Sequence, residues 1–108
     1  MTNSRKFNCM IPVSNLSCFN GSLGSLLPNS NYELMIDYPL ENPVKFEITT
    51  GSKGLSPGEL LRKIGKIYEK IYQSPEKYKV YGHDVEDLSL ETVRINHKTK
   101  QIALDLGS

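Results

Sequence analysis

Residues 56 to 73 constrain the fold of this chain more than any other stretch. Ser56-Pro57-Gly58-Glu59 supplies a capping hydroxyl, a proline at the first helical position and a glutamate three residues after the cap, which together open a helix and satisfy its first amides. Behind that start Leu60, Leu61, Ile64, Ile67, Tyr68, Ile71 and Tyr72 recur at one-, three- and four-residue steps and form one apolar stripe. Arg62, Lys63, Lys66, Glu69 and Lys70 fall outside it. Pro75 discourages continuation, so the pattern predicts one amphipathic helix from Pro57 to about Gln73. Gly65 inside it costs about 1 kcal/mol relative to alanine, which suits a close approach to a sheet.

An amphipathic rod needs an apolar surface to cover, and alternating segments on either side provide one. Tyr32, Leu34, Ile36 and Tyr38 share one parity while Glu33 and Asp37 take the other, the period-two signature of a half-buried strand. Val44, Phe46 and Ile48 repeat it, and the intervening Pro39-Leu40-Glu41-Asn42-Pro43 reads as the loop of a hairpin. Leu88-Ser89-Leu90 alternates and Val93-Arg94-Ile95 alternates in the opposite phase, so a bulge near Glu91-Thr92 is needed to keep all four apolar residues inward. After a polar turn at residues 96 to 100, Gln101 to Leu106 alternates once more.

These elements predict an α+β domain over residues 31 to 108: a four-stranded, mainly antiparallel sheet with one helix packed on one face, in the order ββαββ. The other face, with Glu33, Asp37, Lys45, Glu47, Ser89, Gln101 and Asp105, is polar and meets water. It has no row of aromatic residues and so differs from sheets that stack single-stranded RNA.

Residues 1 to 30 read differently. Asn20 to Ser30 is rich in Gly, Ser, Asn and Pro, and the whole segment is expected to be a weakly structured N-terminal arm or linker. Its Phe7, Met10, Ile11, Val13, Leu16 and Phe19 are too apolar for a purely solvated tail, so packing on the domain or on a partner remains open. Cys9 and Cys18, the only cysteines, have no metal-ligand spacing and read as free thiols. The Phe7 to Phe19 stretch is too polar for a signal-peptide core, and no apolar run is long enough to span a bilayer. The expectation is an intracellular, non-secreted protein without membrane contact. A formal net charge of +1 exerts no global pull on nucleic acid.

Two groups of residues are candidates for function. Tyr81-Gly82-His83-Asp84-Val85-Glu86-Asp87-Leu88 gathers three carboxylates and one of two histidines in a loop, so Tyr81, His83, Asp84, Glu86 and Asp87 form a candidate binding surface. A carboxylate could orient the His83 imidazole for general-base work, but no recognisable nucleophile context accompanies it, and backbone hydrogen bonding is the plainer role. The twelve-residue spacing and central glycine of a calcium loop are also missing, so no metal and no cofactor are expected. The second group is the basic helix face, Arg62, Lys63, Lys66 and Lys70, either a solvated surface or a seat for an acidic partner such as a phosphate backbone. Tyr68, Tyr72, Tyr78 and Tyr81 ring the helix end, and with open strand edges they suit homodimerisation.

The span from Asp37-Tyr38-Pro39-Leu40 through the helix to Tyr81-Gly82-His83-Asp84-Val85-Glu86-Asp87-Leu88 resembles a small domain, without an assigned activity, of large DNA viruses of amoebae, the marseillevirus group in particular. The resemblance implies a viral origin, with residence in the host cell or virion, and carries no catalytic residue across. The reading is a non-enzymatic interaction or structural domain that forms a dimer or engages another protein. The alternatives are nucleic-acid association through the basic helix face and a small hydrolase centred on His83.

Overall fold

The structure is a computed structural model that describes residues 4–19, 31–52, 54–82 and 84–107. Its frame is a five-stranded mixed sheet in the order β1-β4-β5-β2-β3. The strands are β1 (Ser4–Pro12), β2 (Asn31–Ile36), β3 (Val44–Thr49), β4 (Ser89–Asn96) and β5 (Gln101–Gly107). The main helix α1 (Pro57–Gln73) and a single turn α2 (Pro75–Tyr78) follow β3. Neighbouring strands run antiparallel except β2 and β5, which pair parallel at the centre.

α1 forms where its sequence directs. The Ser56 hydroxyl oxygen accepts from the Glu59 amide at 3.1 Å and its proton is directed at the Glu59 carboxylate, also at 3.1 Å. Leu60, Leu61, Ile64, Tyr68 and Ile71 are buried in one core with Tyr32, Leu34, Ile36, Ile48, Leu88, Leu90, Val93, Ile95, Ile102 and Leu104. Phe46 is only partly covered. The expected bulge is present: Leu90 faces Leu106 and Thr92 faces Asp105, leaving Glu91 as the extra residue and all four apolar side chains of this region buried. The hairpin loop is longer than expected, because β2 ends at Ile36 and Tyr38 lies in the connection.

The principal correction concerns the four-stranded sheet behind a weakly structured arm. β1 comes from that arm and adds an antiparallel edge strand against β4, from Ser4 opposite Asn96 to Pro12 opposite Ser89. A 3-10 turn (Val13–Cys18) then crosses onto α1, with the Val13 amide donating to the Leu88 carbonyl at 2.9 Å and Val13 and Leu16 fully buried. Arg62 Nη1 donates to the Phe19 carbonyl at 2.7 Å, and the Ser17 hydroxyl donates to Glu69 Oε2 at 2.9 Å. Gly65 therefore serves a different neighbour from the one expected. A Cβ built there would lie 2.7 Å from Leu16 Cβ and 2.8 Å from the Leu16 carbonyl carbon, so the glycine admits the 3-10 turn and not the sheet.

The uncovered face is polar, as anticipated. Lys45 Nζ lies 3.4 Å from Glu33 Oε1, Arg94 Nη2 lies 2.9 Å from Asp105 Oδ1, and the Thr92 hydroxyl donates to Asn8 Oδ1 at 2.9 Å. The two ion pairs are about half exposed, and pairs of this kind contribute roughly 0–1 kcal/mol each. Asn96 stops β4 by accepting from the Lys98 and Thr99 amides at 3.0 and 3.1 Å, an Asx turn that sends the chain back into β5. Cys9 and Cys18 are free thiols; burial pushes the Cys9 thiol pKa up, and its S–H points to the Leu90 carbonyl at 3.3 Å.

Candidate functional site

The loop that carries the acidic residues is built by two left-handed positions. Lys79 (φ 54°) ends α2 and Gly82 (φ 74°) turns the chain again. Between them a short ladder ties this loop to the β2–β3 connection: Glu41 N donates to the Lys79 carbonyl at 3.1 Å and Tyr81 N to the Pro39 carbonyl at 2.9 Å. Tyr81 is thereby held by its backbone while the residue as a whole stays 46% exposed. Beyond Gly82, a 3-10 turn at Val85–Asp87 closes with the Asp87 amide donating to the Asp84 carbonyl at 3.0 Å, and the Asp84 amide donating back to Asp87 Oδ2 at 3.4 Å. Asp87 thus spends part of its carboxylate on shaping its own loop. His83 lies outside the described residues, and so do the roles expected of it.

Asp84 and Asp87 join Tyr72, Pro75, Val80 and Gly82 around an open cleft of about 520 Å³. Burial is the main reason that the Tyr72 phenol is pushed up to about 12, and the nearby Asp84, Tyr38, Asp87 and Glu86 add to it, because a phenolate there would face carboxylates. Tyr68, whose hydroxyl donates to the Tyr38 carbonyl at 2.9 Å, is raised further still, by burial first and then by Asp37 and Tyr72. A phenol held protonated this firmly donates hydrogen bonds at neutral pH and does not act as a base. Among the described residues, no three His, Cys, Asp or Glu side chains gather to hold a metal ion.

The tyrosines carry a prediction. Both phenols have folded pKa values above the ordinary 10, so the folded protein holds those protons more tightly than the unfolded chain does. Their contribution to stability is complete below pH 10 and is lost as pH rises towards the folded values. An alkaline titration followed at the phenolate absorbance should show Tyr68 and Tyr72 ionising late, and Tyr72→Phe should remove the component near 12. If all the tyrosines ionise together near 10 in folded protein, the cleft is not built as described.

The basic group is divided by the fold. Arg62 is half-buried and turned to the Phe19 carbonyl, where it clamps the N-terminal segment onto α1. Lys63, Lys66 and Lys70 remain exposed. Lys63 and Lys66, with Ile67, line an open groove of about 330 Å³ whose other wall is Glu47, Ile48 and Thr49 of β3.

That wall is a feature the sequence reading did not single out. Glu33 N donates to the Lys100 carbonyl at 2.8 Å, on the β5 side, so by alternation Tyr32, Leu34 and Ile36 direct their backbone groups towards β3. In the observed register they meet Ile48, Phe46 and Val44, which leaves the N–H and C=O groups of Lys45, Glu47 and Thr49 pointing outward. No other described strand pairs with that side. Alternating Lys and Glu on a short strand was visible in the sequence, but the strand's place at the sheet margin was not.

Comparison with family models, with curated proteins and with solved structures finds no match for this chain. No helix among the described residues is long and apolar enough to cross a membrane.

Proposed function

We propose that this is a non-enzymatic protein-interaction domain that associates with copies of itself. The observation supporting this is the margin of β3 that no other described strand pairs with: a strand in unbroken register with β2, three of whose residues present backbone donors and acceptors outward, where strand addition supplies affinity through main-chain hydrogen bonds. The opposite margin is unsuited to that role. β1 carries an irregularity between Asn8 and Ile11, a left-handed Met10 (φ 52°) and Pro12, all devices that discourage pairing. A viral origin and residence in the host cell or virion belong to the same proposal and rest on the resemblance of residues 37 to 88. Light scattering over a concentration series tests the central part. The mass should climb from 12.2 kDa towards twice that value, and a constant 12.2 kDa at the highest concentration would overturn it.

A second reading has its own observation. Lys63, Lys66 and Lys70 lie exposed along α1, and none of them has an ion-pair partner among the described residues. Three lysines on phosphates would give a log-log salt slope of about −2.7 on duplex DNA. Retention on DNA that decays with that slope is the expected result, and no retention at low salt eliminates this reading.

A further inference from the structure

Among the antiparallel registers centred on Lys45, Phe46 and Glu47, the edge of β3 is complementary to itself in the middle one, and we infer that a second copy of the chain docks there antiparallel, with Phe46 at the two-fold axis and Lys45 of each copy opposite Glu47 of the other. This rests on the self-associating reading and names its interface. The outward backbone groups belong to Lys45, Glu47 and Thr49, so an antiparallel partner must bring residues of that same set into hydrogen-bonded pairs. Centring the axis on Lys45 sets lysine against lysine, and centring it on Glu47 sets glutamate against glutamate; both are disfavoured. Centring it on Phe46 makes two hydrogen-bonded pairs in which Lys45 meets the other copy's Glu47. It also places Val44 across from Ile48.

Two features of the single chain point the same way. Glu47 sits directly opposite Glu33 on β2, while Lys45 reaches Glu33 at 3.4 Å, so Glu47 faces a like charge and has no ion-pair partner among the described residues. A second copy's Lys45 would supply the missing cation. On the helix side, Val44 and Phe46 are only partly covered, and the Phe46 ring meets Tyr78 at 6.3 Å between centroids. A second Phe46 across the axis extends that aromatic contact and shields both rings. Charged residues on an edge strand commonly serve to prevent pairing. Here they alternate in sign, so they reject the registers centred on Lys45 and on Glu47 and admit the one between them.

Charge reversal tests the register. Glu47→Lys puts lysine against lysine across the axis, yet it relieves the opposition to Glu33 within one chain, so the variant should remain folded, with the circular dichroism of the unaltered chain, and run as a monomer. The double variant K45E/E47K restores opposite charges and should recover the dimer. An equimolar mixture of K45E and E47K should form a heterodimer, although each alone is monomeric. Amide exchange at positions 45 and 47 should be slow in the dimer and fast in E47K. If the unaltered chain is a dimer and E47K remains one, this interface is wrong while self-association stands. If the unaltered chain is a monomer at every concentration, both fail, and slow exchange of those amides in that monomer would mean that another part of the same chain covers the edge.

Discussion

Leu16→Ala is expected to destabilise the protein by roughly 2–5 kcal/mol, the usual range for truncating a buried leucine in a packed core. Leu16 has no exposed surface and belongs to the same cluster as Leu61, Ile64 and Tyr68 of α1. The 3-10 turn that carries it is held at one end by the Val13 amide on Leu88 and at the other by Arg62 on the Phe19 carbonyl, so it has little freedom to collapse into the space left behind. With a urea m-value of about 1–3 kcal/mol/M, the midpoint should fall by roughly 1 M or more. Met10, 67% exposed on the neighbouring strand, is the control, and its replacement by alanine should change stability by no more than about 0.5 kcal/mol. Equal midpoints for Leu16→Ala and Met10→Ala would mean that the N-terminal segment is not part of the core.

Gly65→Ala is the second large effect, and its sign runs against helix propensity. In an exposed helix interior the change would stabilise by roughly 0.5–1 kcal/mol. At this position the new methyl group would meet the Ser17 amide nitrogen, Leu16 Cβ at 2.7 Å and the Leu16 carbonyl carbon at 2.8 Å. Two of those three atoms are backbone, so relief requires moving the 3-10 turn and stretching the Ser17–Glu69 and Arg62–Phe19 hydrogen bonds that hold it. Overpacking of this kind costs roughly 1–3 kcal/mol, which outweighs the propensity gain and leaves a net loss. A lower urea midpoint is expected, and larger residues at 65 should fare worse. A higher midpoint would show that the turn stands away from α1.

The elements legible in the sequence were those with a repeated pattern and a punctuated end. α1 runs from Pro57 to Gln73 because stripe, cap and Pro75 agree, and the bulge at Glu91 followed from a phase change between Leu90 and Val93 that only an extra residue can repair. β1 and its turn went unread for opposite reasons. Phe7, Cys9 and Ile11 alternate, but Met10 and Pro12 blur the contrast. Val13, Leu16 and Phe19 recur every third residue, the period of a 3-10 helix, within a stretch otherwise made of Ser, Asn and Cys that reads as loop. At the candidate site, Tyr81, Asp84, Glu86 and Asp87 were legible as one loop by adjacency. The meeting of Asp84, Glu86 and Asp87 with Tyr72, twelve or more residues away in the chain, was not, and neither was the diversion of Arg62 from the basic face to a backbone carbonyl.

Local pattern by itself determined that residues 57 to 73 form a helix, that β2, β3, β4 and β5 are strands, and which side of each turns inward, and it marked Gly65 as a place suited to a close approach. Those properties follow from periodicity, capping and backbone sterics within a few residues. Tertiary structure alone decided that β1 joins β4, that β2 and β5 run parallel at the centre, that a 3-10 turn is what Gly65 admits, and that β3 ends at the margin with Lys45 and Glu47 facing out. The strands all carry the same period-two code, and that code specifies a buried face without naming a neighbour. Strand order is settled by how the connections close and by the packing of the whole core.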